Sequence, residues 1–461
     1  MTNSLKKSAA LALLSLLMAG CAVGPRYKSP QPPEITYHAA DPALVSATAY
    51  NAQWWKQFED PVLDSLVDRT LTANNSIKIA RARLAESRAI YDERRLDRYP
   101  TAPVEASYNY SKEQIPGFSD DRRTINTFKT GFDAFWELDL FGRVGHGIAA
   151  GRAETEAFAA DLRDVQVSVT AELARNYFEL RGAQWRLAVA ERSLANQRET
   201  LHLTQLRRDA GVGEEQDVAS AAARVAATEA TIPSLQYEVS RATHRISVLT
   251  GVRPGELNAD LSPRSYPAIA QALPIGDPAE LLRRRPDVRA AERRLASATE
   301  LQGAAVAEMF PKVSVSGFVG FLAGRGNLFL MPESAAWSAS PGLSWSAFDL
   351  GRARARVRGS KASAEEAMAS YEDTVLRALE ETENALANYR AQQALLVKLN
   401  EQARESKRAA DIARLRYREG VIDFLSLLDA ERTQLQAEDA VAQAESEVYV
   451  GVITLYKALG G

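Results

Sequence analysis

Two periodicities alternate along the chain. Between residues 149–210 and again between 353–418, apolar residues recur at steps of three and four, the spacing of one helix face. In the second stretch Val375, Leu379, Thr382, Leu386 and Tyr389 form a coiled-coil-like seam, which Gln393 interrupts before Leu396. The first stretch contains no proline, and Gly182 is the only glycine deep in its interior. These spacings predict helices of roughly 93 and 99 Å at about 1.5 Å per residue. Shorter helices of about 54 Å are predicted near Leu63–Arg98 and Glu215–Thr250. Pro233 predicts a kink in the latter, because it lacks the N–H that a helix interior needs.

Between the helices the period drops to two. Val104, Ala106, Tyr108 and Tyr110 alternate with Glu105, Ser107, Asn109 and Ser111. Phe128, Thr130, Phe132, Ala134, Trp136 and Leu138 alternate with Lys129, Gly131, Asp133 and Glu137, with Phe135 as the exception. Val313, Val315, Val319 and Phe321 then face Ser314, Ser316 and Gly320. Trp337, Ala339, Leu343, Trp345 and Ala347 do the same against Ser338, Ser340, Gly342, Ser344 and Ser346. Such alternation predicts four two-faced strands, in hairpins over 104–138 and 312–348. An outer-membrane barrel and a half-buried soluble sheet share this pattern.

The pattern also repeats as a whole. Leu140-Phe141-Gly142-Arg143 returns as Asp349-Leu350-Gly351-Arg352, and Ala210-Gly211-Val212 as Glu419-Gly420-Val421, at an offset of about 209 residues. Thr250-Gly251 returns as Leu459-Gly460, Tyr99-Pro100 as Phe310-Pro311, and Asp60-Pro61 as Asp277-Pro278. The reading is a duplicated unit: a first repeat over 62–251, a Pro-rich linker at 252–276 and a second repeat over 277–461. Each repeat is helix, hairpin, long helix and short helix, with the short ones at 215–250 and 423–458.

Composition narrows the setting. A net charge of −3 argues against nucleic-acid binding, and one cysteine excludes an internal disulfide or a Cys-based zinc site. A mean hydropathy of −0.25 excludes a polytopic helical membrane protein. The four histidines have no metal-ligand spacing, and no nucleophile elbow, phosphate loop or catalytic carboxylate cluster is present. No catalytic residue, cofactor or metal is therefore expected. Gly142, Gly145 and Gly147 read as strand-exit glycines, not as a nucleotide loop.

The amino terminus carries Lys6 and Lys7, an apolar run from Ala9 to Ala19, and Leu17-Met18-Ala19-Gly20-Cys21. Residues 1–20 read as a lipoprotein signal, with Cys21 the acylated residue. Ala22 at the next position matches the default that sorts to the outer membrane, and the Pro-rich 22–50 segment reads as an extended tether within 21–61. This favours the barrel reading of the strands. Four strands cannot close, and open edges are not tolerated in lipid, so other copies must complete the sheet. Two copies would give eight strands and a filled interior, three would give twelve and a lumen.

At this point the sequence resembles the outer membrane factor family, the TolC-like exit ducts of tripartite efflux pumps, in its NodT-type lipoprotein branch. The resemblance covers essentially the whole mature chain. It rests on Cys21-Ala22-Val23-Gly24-Pro25 with Tyr27 and Pro30, and on Trp54-Trp55 with Phe58, Asp60-Pro61 and Leu63. Arg285-Pro286-Asp287-Val288 and Arg416-Tyr417-Arg418-Glu419-Gly420-Val421, continuing through Leu425 and Leu428-Asp429-Ala430-Glu431-Arg432, complete it. It implies an α+β membrane protein: a homotrimer with one twelve-stranded outer-membrane β-barrel and a periplasmic α-helical barrel. The implied partners are a periplasmic adaptor and an inner-membrane RND transporter, in a Gram-negative outer membrane, exporting drugs or other toxic small molecules.

The resemblance places a periplasmic gate at Leu425, an apolar ring, and Asp429, a carboxylate ring that attracts cations, with Arg432 pairing with a neighbouring acid. It places adaptor docking at Gly211-Val212-Gly213 and Gly420-Val421-Ile422. From spacing alone, Asp429 reads first as a solvated helix-face carboxylate and Leu425 as a core leucine, and the motif match reverses the reading of Asp429. The run Arg352, Arg354, Arg356, Arg358 fits either a headgroup-facing rim or a solvated helix start. A type I protein-secretion channel is the alternative function, and a coiled-coil structural lipoprotein without a channel is the alternative class.

Overall fold

The computed structural model describes residues 22–31, 35–49, 52–114, 121–267, 269 and 272–461. The signal segment 1–20 and Cys21 lie outside the described residues. The chain order is β1 (Val45–Ser46), a 3-10 turn at Trp54–Phe58, α1 (Pro61–Ala73), α2 (Asn75–Leu96), β2 (Val104–Gln114), β3 (Arg122–Leu138), α3 (Arg143–Asp209) and α4 (Glu215–Leu249). It continues with β4 (Leu273–Pro274), α5 (Pro278–Arg284), α6 (Pro286–Ala307), β5 (Lys312–Ala323), β6 (Ala335–Ser344), α7 (Leu350–Arg418) and α8 (Phe424–Ala458).

The helices α3 and α7 hold 67 and 69 residues, and each begins earlier than periodicity alone places it. The α3 start is drawn back by Asp139, whose carboxylate accepts from Val144 N at 3.0 Å and Gly145 N at 2.6 Å. These bonds satisfy two of the N–H groups that a first turn leaves free. Each short helix read near Leu63–Arg98 and its repeat is two helices. Pro286 at the first position of α6 ends α5, and Asn74, extended at ψ 132°, ends α1 and caps α2 through Ser76 N at 2.8 Å. The second strand of the second hairpin ends at Ser344, so Trp345 and Ala347 lie beyond it. By contrast α4 passes through Pro233 without ending.

The chain forms two compact units. One takes the segment ending at Gln31 with Arg83–Ala159 and Ala290–Glu372, and contains a four-stranded antiparallel sheet in the order β2-β3-β5-β6. The other takes Pro32–Ala82, Ala160–Arg289 and Asp373–Gly461. Its core is aromatic. The Phe178 and Tyr449 rings stack at 4.7 Å, Tyr266 continues the stack at 4.7 Å, and Trp54 stacks on Tyr456 at 5.6 Å. Such pairs add about 0.5–1.5 kcal/mol each beyond the area they bury. The predicted seam on α7 is real, for Val375, Thr382, Leu386 and Tyr389 are buried. Gln393 caps it by donating to Tyr389 Oη at 3.0 Å.

Within this second unit the duplication is visible at the level of single bonds. Asn74 Nδ2 donates to Leu249 O at 2.9 Å, near the end of α4. Arg285 Nη1 donates to Ala458 O at 2.8 Å, at the end of α8. Both satisfy a terminal carbonyl that a helix cannot satisfy itself, and both come from the residue at a helix break. Arg285 is buried and also pairs with Asp287 and Glu381, each at 2.7 Å. Hydrogen bonding to these acids raises its affinity for the proton further, against the pull of burial.

Removing a guanidinium that serves one buried carbonyl and two acids costs more than removing a cap. Arg285→Ala is expected to destabilise by about 2–3 kcal/mol, from charged hydrogen bonds at about 1.5–3 kcal/mol. Asn74→Ala is expected to cost about 1 kcal/mol. Thermal unfolding of the detergent-solubilised protein followed by helical circular dichroism checks the order of the two.

Candidate functional site

The sheet is two-faced across all four strands. Register sets Val104 against Phe132, Phe132 against Val319, and Val319 against Trp337, so one apolar row crosses the whole sheet. Tyr108, Phe128 and Ala323 form a second row, and Trp136, Val315 and Pro341 a third. Trp337 is 80% exposed and Val104 69%, far more than an apolar side chain in a soluble sheet core. The other face carries Glu105, Ser107, Lys129, Asp133, Ser314, Ser316, Ser338 and Ser340. There Lys129 bridges Asp133 at 2.6 Å and Glu105 at 3.1 Å, and lies 4.9 Å over the Phe318 ring. Phe135, the exception in the alternation, lies on this polar face and is half exposed.

Both hairpins are tied at the same end by an indole. Trp136 Nε1 donates to Arg98 O at 2.9 Å, and Trp345 Nε1 donates to Met309 O at 3.0 Å. The apolar bodies of these rings stay exposed while their N–H groups are satisfied, the arrangement that suits a membrane–water interface.

A second site lies where α3 turns into α4 and α7 into α8. Gly211 (φ 76°) and Gly420 (φ 74°) are left-handed, a conformation that costs glycine little. Val212 N then donates to Arg207 O at 3.0 Å, and Val421 N to Arg416 O at 2.9 Å, giving two copies of one helix ending. The valines point outward, 67% and 58% exposed. Underneath, Phe424 and Leu427 pack with Tyr417 and Ala221, and Arg207 lies 4.8 Å over the Tyr417 ring. Asp423 caps α8 by accepting from Ser426 N at 2.7 Å, and this bond holds its carboxyl below the usual range. Asp217 is pushed up, first by burial and then by Glu214, with Asp423 adding to it.

Leu425 and Asp429 share one exposed face of α8, one turn apart, with Leu425 59% exposed. Leu425 is thus not a core leucine. Asp429 pairs with Arg432 of its own helix. Beside them is a pair to which sequence reasoning assigned no role. Glu431, buried, accepts from Arg414 Nε at 2.9 Å and from Thr200 Oγ1 at 3.3 Å, and Arg414 also donates to Gln434 at 2.9 Å. These bonds join α3, α7 and α8. Arg224 of α4 stands nearby with a buried Nε that has no hydrogen-bond partner among the described residues. Burial first, then the charge of Arg432, lowers its proton affinity.

Among the described residues no group of three or more His, Cys, Asp or Glu is placed to hold a metal, and no helix is long and apolar enough to cross a membrane. The outer membrane efflux protein profile matches twice, over residues 66–252 and 278–461. The chain belongs to the outer membrane efflux protein family. This non-enzymatic family is TolC-like, and the chain is the outer-membrane channel of a tripartite efflux pump. It is 29% identical over 452 residues to outer membrane protein OprJ of Pseudomonas aeruginosa, covering 97% of this chain and 94% of that one. It is 28% identical over 434 residues to nodulation protein T of Rhizobium leguminosarum bv. trifolii, covering 94% and 92%. The solved structure of the outer-membrane channel OprN shares 51% identity and a TM-score of 0.93, covering 96% of this chain and 99% of that one. Duplicated repeats, long helices and four strands per chain are the family's architecture.

The Glu431 cluster gives a direct prediction. Arg414→Ala leaves a buried carboxylate without its cation and is expected to lower the opening free energy of the turn region by about 3 kcal/mol. Arg414→Met with Glu431→Leu is expected to recover most of the loss. Hydrogen exchange of the Tyr417–Leu428 amides measures both.

Proposed function

We propose that three copies of the chain close their sheets into one twelve-stranded barrel whose apolar rows face outer-membrane lipid and whose Ser- and Gly-rich face lines a water-filled duct. The observation that carries this reading is the two-faced sheet of four strands whose outer edges, β2 and β6, have no partner within the sheet. In hydrocarbon each unpaired N–H or C=O costs several kcal/mol, so a cyclic assembly must pair them. With four strands per copy, three copies are the smallest closed arrangement that leaves a lumen.

In chain order the helices α3 and α7 lead from the sheet strands to the Gly211 and Gly420 turns. These turns, Gly211-Val212-Gly213 and Gly420-Val421-Ile422, are the docking surface for a periplasmic adaptor that links the channel to an inner-membrane RND transporter. Their exposed valines and fixed backbone suit a knob-in-groove contact. At rest Leu425 closes the duct as an apolar ring, and Asp429 beside it attracts cations. Arg432, paired with Asp429 on its own helix, helps hold the closed helices. The adaptor opens the gate by binding the open arrangement more tightly than the closed one. Cys21 carries the acyl chains that hold the amino terminus in the outer membrane. The cargo is drugs or other toxic small molecules, selected by the transporter.

Two measurements test this. Asp429→Ala trimers in planar bilayers are expected to conduct at least twofold more than the parent or to lose cation preference, and unchanged current and selectivity would remove the gate assignment. Intact mass of the purified protein is expected to show Cys21 acylated and Cys21→Ser free of lipid. A mass matching unmodified Cys21 would refute the anchor. The adaptor and transporter that co-purify separate drug efflux from protein secretion, for which the transporter would be an ATPase.

A further inference from the structure

The residues that follow Cys21 are not a loose tether. Val23 N donates to Phe141 O at 3.1 Å, and Val23 O lies 3.1 Å from His146 Nε2. Tyr27 N donates to Glu300 Oε1 at 3.1 Å, its hydroxyl donates to Glu292, and Arg293 lies 5.3 Å over its ring. Burial against Glu292 raises the Tyr27 phenol, which keeps it a donor. Arg293 is itself held by Glu156 at 3.1 Å.

The seat is built to close tolerances. A Cβ on Gly24 would stand 2.8 Å from Gly303 Cα, and one on Gly142 would stand 2.8 Å from Ala22 Cβ. A Cβ on Gly303 would stand 2.6 Å from His146 Nδ1, so the imidazole lies flat against the helix where a side chain would otherwise be. His146 is 4% exposed and uses both ring nitrogens. A carbonyl can only accept, so Nε2 donates to Val23 O, while Nδ1 lies 2.6 Å from Glu300 Oε2. His146 belongs to α3 of the first repeat, and Glu300 and Gly303 belong to α6 of the second. The equivalent of His146 in the second repeat is Ala355, so the seat exists once per chain.

We infer that His146, set by Glu300 and admitted by Gly303, is a positioning residue that docks residues 22–27 as a strap across α3 and α6. The strap fixes where the amino terminus leaves the protein: beside Gly142, between β3 and α3. This deepens the proposed lipid anchor, for a chain held at Cys21 would be held at the foot of the sheet. The seat itself is formed by side chains and backbone that need no lipid.

Hydrogen exchange on the full-length protein in detergent tests it. Val23 and Tyr27 amides are expected to be slow in the parent and equally slow in Cys21→Ser. In His146→Ala both are expected to exchange at least tenfold faster, with the α3 amides beyond its first turns and the α6 amides before its last two turns unchanged. Glu300→Gln keeps an acceptor for Tyr27 N and offers an amide N–H that can donate to His146 Nδ1, and is expected to stay within threefold of the parent. Gly303→Ala is a second route to the same loss, through displacement of the ring, if His146→Ala folds poorly. Unchanged Val23 and Tyr27 exchange in His146→Ala or in Gly303→Ala would overturn the proposal, as would fast exchange in the parent. Failure of the anchor reading would appear in the mass of Cys21 and leave these rates untouched.

Discussion

The fold follows from a single constraint: a backbone in hydrocarbon has no water to fall back on. A sheet of four strands satisfies its interior ladder but leaves the outer sides of β2 and β6 unpaired, at several kcal/mol for each open group. A soluble protein would hide such edges under a helix or a loop. Here the faces are already committed, one apolar and one polar, and the exposed tryptophan and valine rows leave no side against which a core could form. The closure through identical copies proposed above answers edge and face together.

The duplication supplies the scaffold, and different chemistry fills equivalent positions. A neutral amide at Asn74 and a guanidinium at Arg285 each reach the terminal carbonyl of a later helix. The extra charge on Arg285 recruits two acids that Asn74 has no use for. The indoles of Trp136 and Trp345 and the turns at Gly211 and Gly420 have kept the same group for the same task. What diverges is what sits around these fixed points. His146 faces a strap in one repeat, and Ala355 stands at its place in the other.

Much of this was legible in the sequence, and for physical reasons. A two-residue period survives any tertiary context, since one face must be apolar throughout, so the strands could be read from alternation. A constant offset between landmarks needs no structure at all. The breaks at Asn74 and Arg285 were hidden because helical periodicity continues across them, and only the partner carbonyls, some 175 residues away for Asn74 and 173 for Arg285, reveal their purpose. The Arg414–Glu431 pair was hidden likewise, for on a helical wheel Glu431 reads as one more solvated acid beside Asp429. Residues 22–27 read as a tether because proline density signals extended chain without telling whether that chain is docked.

The polar face of the sheet holds one more lesson, in the facing residues Gly131 and Gly320. A Cβ on the first would collide with Val319 O, and one on the second with Thr130 O, while Phe318 covers the space above both. No substitution fits without parting the strands. Sequence drift that the solvent-washed helices can absorb is closed off at this crossing, where the channel wall is set by a lack of atoms.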